Sequence, residues 1–292
     1  MPILSRLLPC TLAAALLGAC ATTEPEGPLR KETVFAVNDA AELLKFNAGQ
    51  PQRVLDRKPV LGLAAGERLV GIDFRVARGV LYALSASGRL YTLDTGSGKL
   101  HAVGSGAPVS LVAPGNGPGG AASPAIIGFD FNPAADRIRV VSDQGLNLRL
   151  HPDTGAVAAT DPAPAYVAGD ARAGQAPRLV AAAYTYNKTN DKLTTNYAID
   201  RAAGTLVLQG SKEGVQPVVS PNTGQLSTVG ALGTGPVEAA AFDISDLGNQ
   251  ALAALRQAGR TRLYTLDLGS GHATLLGTVA DGRPLWGLAI EP

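Results

Sequence analysis

The residue types that most often carry chemistry are nearly missing from this chain. Its 292 residues include two cysteines, three histidines, one methionine and one tryptophan. Both cysteines, Cys10 and Cys20, fall within the first twenty residues, so the body of the chain has neither a disulfide nor a cysteine metal ligand. His101, His151 and His272 lack metal-ligand spacing, and His101 and His272 are expected at the surface after equivalent turns. There is no G-x-S-x-G elbow and no H-E-x-x-H signature. No glycine-rich segment follows a strand and opens a helix, which excludes a phosphate-cradling loop; APGNGPGGAASPA (113–125) reads as a flexible rim. Charge is scarce and balanced, with 25 Lys and Arg against 24 Asp and Glu. No basic stripe exists to neutralise phosphates, so nucleic acid is excluded as a partner. The apolar run at residues 7–17 is too short to span a membrane, which takes roughly 20 residues.

What is present begins with an address. Arg6, the short apolar run and the small residues that follow mark a secretory signal. LGAC (17–20) resembles the lipobox of bacterial lipoproteins, in which the signal is cut before the cysteine and several acyl chains are attached to it. One acyl chain binds a membrane marginally, and several hold it stably. The expected organisation is a lipoprotein signal peptide over 1–19, a lipidated Cys20 with a flexible tether over 20–33, and a single domain over 34–292. Ala21 stands where a retention signal would place Asp, so the expected location is the periplasmic side of the outer membrane.

The domain is written in repeats. LYTLDTGSGKLHAVG (90–104) and LYTLDLGSGHATLLG (263–277) share nine of fifteen residues. Around them lie longer units, beginning at Ile72, Phe129, Ala182 and Ala241, with 57, 53 and 59 residues between successive starts. Each opens with a short apolar strand and continues through two or three more. Short β units at this spacing signal a β-propeller of about five blades, an all-β fold. The remaining unit is split: TVFAVNDAAELLKFNAGQPQRVLD (33–56) lacks an opening strand, and LWGLAIEP (285–292) resembles one. The C-terminal strand is therefore expected to complete the N-terminal blade and remove the open edges. DTGSG (94–98), DTG (153–155), DRAAG (200–204), NTG (222–224) and DLGSG (267–271) read as hairpin punctuation. Residues 40–46 and NQALAALRQ (249–257) carry some helical propensity, but the repeat position of the second requires a strand. Asn196, set against Leu90 and Leu263, marks blade four as degenerate.

GIDFRVARGVLYALSASGRLYTLD, VSDQGLNLRLHPDTG and LYTLDLGSG resemble a bacterial family of exported proteins catalogued as a domain of unknown function, over roughly residues 34–290. The resemblance implies a propeller-like domain and brings no catalytic residues with it.

Three acidic residues recur at one repeat position. Asp73, Asp130 and Asp243 stand in GID, GFD and AFD, with Thr185 and Ala289 at the matching places in the other two units. Opening strands line a propeller's channel, so the three carboxylates either hold a hard cation such as Ca²⁺ or bond backbone as a structural device. The second reading is favoured. Ser142, Asp143, Asn147 and Arg149 form a polar patch facing a groove or water. Asn187, Asn190 and Asp191 offer oxygens in a spacing that fits no known calcium loop. The leading function is a lipid-anchored envelope module that binds a protein, glycan or small molecule. The rivals are a metal-dependent lactonase or phosphoesterase, and a purely structural protein. Fold alone licenses none of these.

Overall fold

Why the domain is all-β follows from how its strands alternate. In the computed structural model, which describes residues 24, 26–113 and 125–292, the chain forms 21 strands in five sheets. Cys20, the signal segment and most of the loop at 113–125 lie outside the described residues. Blade one pairs β1 (Thr33–Asn38), β2 (Glu42–Asn47) and β3 (Val54–Pro59) with β21 (Leu285–Ile290). Blade two is β4 (Leu69–Arg75), β5 (Val80–Ser85), β6 (Leu90–Leu93) and β7 (Leu100–Ala102). Blade three is β8 (Ile127–Asn132), β9 (Arg137–Ser142), β10 (Asn147–Leu150) and β11 (Val157–Thr160). Blade four is β13 (Leu179–Tyr184), β14 (Asn196–Asp200), β15 (Thr205–Gln209) and β16 (Gln225–Ala231), edged by β12 (Ala165–Tyr166) in parallel with β16. Blade five is β17 (Ala239–Ile244), β18 (Ala251–Gln257), β19 (Arg260–Leu266) and β20 (Ala273–Thr278). The inner strands β21, β4, β8, β13 and β17 pack side by side in a closed ring.

Both faces of each blade are covered by neighbours, so middle strands are apolar on both sides. In β18, Ala251, Ala253 and Leu255 face blade four, while Leu252 and Ala254 face blade one. This two-sided burial makes ALAALRQ a strand despite its alanines: tertiary packing outweighs helix propensity. The turns behave as punctuation. Asp94 Oδ1 accepts from the Ser97 amide at 2.7 Å, and Asp267 Oδ1 accepts from Ser270 N at 2.7 Å.

The ring closes as the split repeat implies. β21 runs antiparallel to β1, pairing Val34 with Ile290 and Ala36 with Leu288. The two LYTLD phrases occupy β6 and β19, the third strands of blades two and five. Two expectations are corrected. Asn196 lies in the second strand of blade four, not in the third strand with Leu90 and Leu263. NYAID mimics LYTLD because any apolar strand that ends in an Asp-led turn has that look, and a long connection at 185–195 displaces the register. The segment expected as a flexible tether is docked in its described part. Arg30 N bonds Asn47 Oδ1 at 2.9 Å, Gln50 Nε2 bonds the Gly27 carbonyl at 3.0 Å, and Thr278 N bonds Glu24 at 2.6 Å. Side chains of blade one and a backbone amide of blade five hold it, so a coil's entropy no longer decides its state.

Candidate functional site

The propeller axis is narrowest where the inner strands carry glycine and alanine. A Cβ on Gly71 would stand 2.4 Å from Phe129 Cβ, and one on Gly128 would stand 2.8 Å from the Ala181 backbone. Only a space of about 20 Å³ remains there, enough for roughly one water. Small residues are what allow five inner strands to converge so closely.

Just past this neck, Asp73, Asp130 and Asp243 meet. All three are buried, and an oxygen from each lies within 4.8 Å of the others. The reason lies in the backbone. An inner strand has a free edge, and its unpaired N–H groups point toward the axis, where they require acceptors. Asp73 takes two of them, Phe74 N and Phe131 N, each at 2.7 Å. Asp130 takes Tyr184 N at 2.9 Å. Asp243 takes Ile244 N and Ile290 N, each at 2.6 Å. Three carboxylates thus serve one equivalent amide from each of the five blades. This bonding also corrects the repeat position in blade four. Tyr184 N is bonded as Phe131 N and Ile290 N are, so the residue before it, Ala183, is the counterpart of the aspartates. Thr185 instead accepts from Thr195 N at 2.8 Å.

Burial dominates the electrostatics. It pushes the Asp73 carboxyl well above its usual range, with Asp243 adding to the rise. Asp130 is pushed up by burial and then by Asp73 and Asp243. Asp73 and Asp130 act on each other, and burial holds both carboxyls well above their usual range. Burial lifts Asp243 to about 7, against the pull of its two amide bonds. Three buried like charges do not stay ionised together without a counter-charge. Burial and the three carboxylates also push up the phenol of half-buried Tyr186.

Each end of the axis opens into a cavity. The wide mouth, about 770 Å³, is bordered by Arg75, Asn132, Asp136, Tyr186, Asn187 and Asp191. Arg75 is held there by Asp136, by Asp153 at 2.6 Å and by Tyr82. The narrow mouth, about 320 Å³, lies at the start of the inner strands between Arg68, Trp286, Glu238 and Arg256.

The other residues singled out from sequence are dispersed. Ser142 accepts from Gln144 N and Leu146 N inside a turn. Asp143 accepts from Ile126 N at 3.0 Å and pairs with Arg201 at 3.4 Å. Asn147 and Arg149 enter the interface of blades three and four, where Arg149 bonds both oxygens of Asp161. Asn187 and Asn190 cap local turns, and Asp191 borders the wide mouth. His101 and His272 are exposed. Sequence reading missed Arg139, the hub of the blade three–four interface. It bonds Tyr184 at 3.1 Å, Asn147 at 2.7 Å, Asp161 at 2.6 Å and Asn222 at 2.5 Å. The available signal was an arginine between Ile138 and Val140, at the register position held by Tyr82 and Leu252 in sister blades.

The sequence profile of the family described as a domain of unknown function, DUF4394, matches residues 42–289. The chain belongs to that family. No match was found among curated proteins. Among solved structures, this DUF4394 chain is similar to a protein from Bacteroides uniformis ATCC 8492 described as a candidate 6-phosphogluconolactonase. Identity is 14%, the TM-score is 0.40, and the match covers 84% of this chain and 67% of the other. It is also similar to a chain of a nidogen–laminin complex, with 11% identity, a TM-score of 0.48, and 89% and 98% coverage.

Proposed function

We propose that this DUF4394 chain is a ligand-binding module of the bacterial cell envelope, anchored through lipidated Cys20 on the periplasmic side of the outer membrane. The observation that carries the binding role is the wide mouth, whose volume of about 770 Å³ falls within the range typical of small-molecule sites. Its lining mixes amides, a tyrosine ring and ion pairs that balance one another, which suits a neutral, hydroxyl-rich ligand such as a short glycan. The signal-like start and LGAC support export and anchoring. The test is a screen of envelope oligosaccharides against the mature domain. Binding that disappears in Tyr186→Ala, with melting unchanged, supports the reading; a screen with no binder removes it. For the anchor, Cys20→Ser moves the protein from the membrane to the soluble fraction, and unchanged partition refutes lipidation.

A second reading has one observation behind it. The three channel carboxylates each bring an oxygen within 4.8 Å of the others, close enough for a hard cation such as Ca²⁺ to draw them together as ligands. Such an ion would supply the Lewis acid of a lactonase or phosphoesterase. Ca²⁺ then raises the melting temperature, a chelator lowers it, and Asp243→Asn abolishes both responses. A melting temperature indifferent to calcium leaves the aspartates as amide acceptors alone.

A further inference from the structure

The narrow mouth differs from the wide one in charge and polarity. Its walls are the side chains of Val70, Ile127 and Leu285, all buried, with Trp286 half-buried at its edge. Two guanidinium groups enter this apolar setting. Arg68 lies over the Trp286 ring, with its central carbon 4.5 Å from the ring centroid. That stacking fixes the plane of the guanidinium, whose N–H edge has no hydrogen-bond partner among the described residues and can take an anion. Burial draws the Arg68 pKa down, so a counter-charge there is favoured. Arg256 bonds Glu238 through Nε at 3.2 Å, while its Nη1 is buried without a partner among the described residues. A buried, unsatisfied charged donor costs free energy that an incoming acceptor restores. Two arginines line the cavity against one glutamate, Glu238, and Glu67 acts on Arg68 from outside the lining.

We infer that the narrow mouth binds a small monocarboxylate with an apolar aliphatic or aromatic body, its carboxylate taken by Arg256 and Arg68 and its body packed on Val70, Ile127 and Leu285. The volume of about 320 Å³ suits a ligand of that class and excludes a long chain. This site is separate from the wide mouth, since the glycine neck lies between them. The guanidinium groups here have an unmet acceptor requirement, whereas Arg75 at the wide mouth has all its partners within the protein.

Trp286 is the only tryptophan, so the chain has its own reporter at the site. The probe is 4-methylpentanoate, which does not absorb with indole, compared with neutral 4-methylpentanamide. Titration of the purified domain is expected to give a saturable change in tryptophan fluorescence with the acid and at least tenfold weaker binding of the amide. Arg256→Met keeps the side-chain stem and removes the charge; it is expected to weaken the acid at least tenfold with melting unchanged. Tyr186→Ala, at the opposite mouth, is expected to leave the titration as it was, so failure here is distinguishable from failure of the wide-mouth reading. The inference is overturned if the acid produces no saturable change at millimolar concentration, if acid and amide bind alike, or if the folded Arg256→Met variant binds the acid as the parent does.

Discussion

Blade four packs on blade five through Val180, Ile199, Leu206, Phe242, Leu255 and Tyr264, and on blade three around the guanidinium of Arg139. The core of the first interface is apolar, and its directional contacts, Tyr186 with Asn249 and Arg201 with the Glu238 carbonyl, lie beside that core. The second has a smaller apolar cluster, with Val141, Ala182, Ala198 and Val207 among its members, and a polar network beside it. Arg139 is almost wholly buried, and its four partners come from two blades and the segments between their strands. Asp161 accepts from both Arg139 and Arg149. The network stabilises only while each member is matched. It also leaves Asn196 and the side-chain carbonyl of Gln209 without partners among the described residues, a liability that an apolar interface avoids. The contrast teaches that one fold can join equivalent blades mainly by area or mainly by specified geometry, and that the second kind fails more abruptly.

Removing residues 285–292 opens the ring at blade one, between blades two and five, and has the largest expected effect. It takes Leu285, Leu288 and Ile290 from the core and frees an edge of blade one. Burial of such side chains contributes about 1.5–3 kcal/mol each, against a net stability of about 5–15 kcal/mol. The truncated chain is expected to be insoluble; a soluble product melting like the parent would refute closure through β21.

The two interfaces separate under single substitutions. Arg139→Met leaves buried Asp161 with Arg149 alone and takes a donor from Tyr184, Asn147 and Asn222; it is expected to cost up to about 3–5 kcal/mol. Leu255→Ala in the apolar interface is expected to cost about 2–5 kcal/mol, set by the cavity it leaves. The discriminating measurement is coupling by denaturant unfolding. Arg139→Met and Asp161→Asn are expected to be non-additive by about 0.5–3 kcal/mol, while Leu255→Ala and Leu84→Ala, in separate interfaces, add. Additivity in the first pair would mean that Arg139 acts only by filling space.

At the axis the expected effects are smaller. Asp73 accepts one amide on each oxygen, so Asp73→Asn orphans a buried N–H at about 1–3 kcal/mol. Asp130→Asn is expected to be milder, since Asp130 accepts a single amide and the variant keeps one acceptor for Tyr184 N. The pH dependence sharpens this difference. A carboxyl raised above its unfolded value near 3.9 makes the folded chain bind more protons, so its contribution is full below about pH 4 and lost as pH rises. For Asp243 that loss passes through about 7. Asp94 and Asp267, held low mainly by hydrogen bonds from Ser97 and Ser270, act in the opposite sense and weaken the fold only in acid. Stability of the ion-free protein is therefore expected to decline from mildly acidic to neutral pH, and Asp130→Asn to flatten that decline. An unchanged slope would mean that Asp130 is ionised in the native state.

Much of this was legible in the chain because propeller blades repeat. The paired LYTLD phrases, the split first blade and the three aspartates are local patterns, and a strand of period two with an Asp-led turn reads the same in any blade. Legibility failed where two segments compete for one pattern. NYAID passed for a third strand, and Thr185 for the counterpart of the aspartates, because alternation alone does not count strands across a long insertion. Arg139 escaped notice because its partners lie 8 to 83 residues away.

What the sequence determined by itself is the all-β class, the blade count and the need for its two ends to meet, since alternation, turn residues and repeats are short-range and survive without a partner. What only the tertiary structure decided is how three aspartates serve five blades, which interface is polar, and where two arginines share an apolar mouth. Those depend on strand register and on which edges converge at the axis. Both are set by packing between residues remote in the chain, where a one-residue shift turns every side chain to the opposite face.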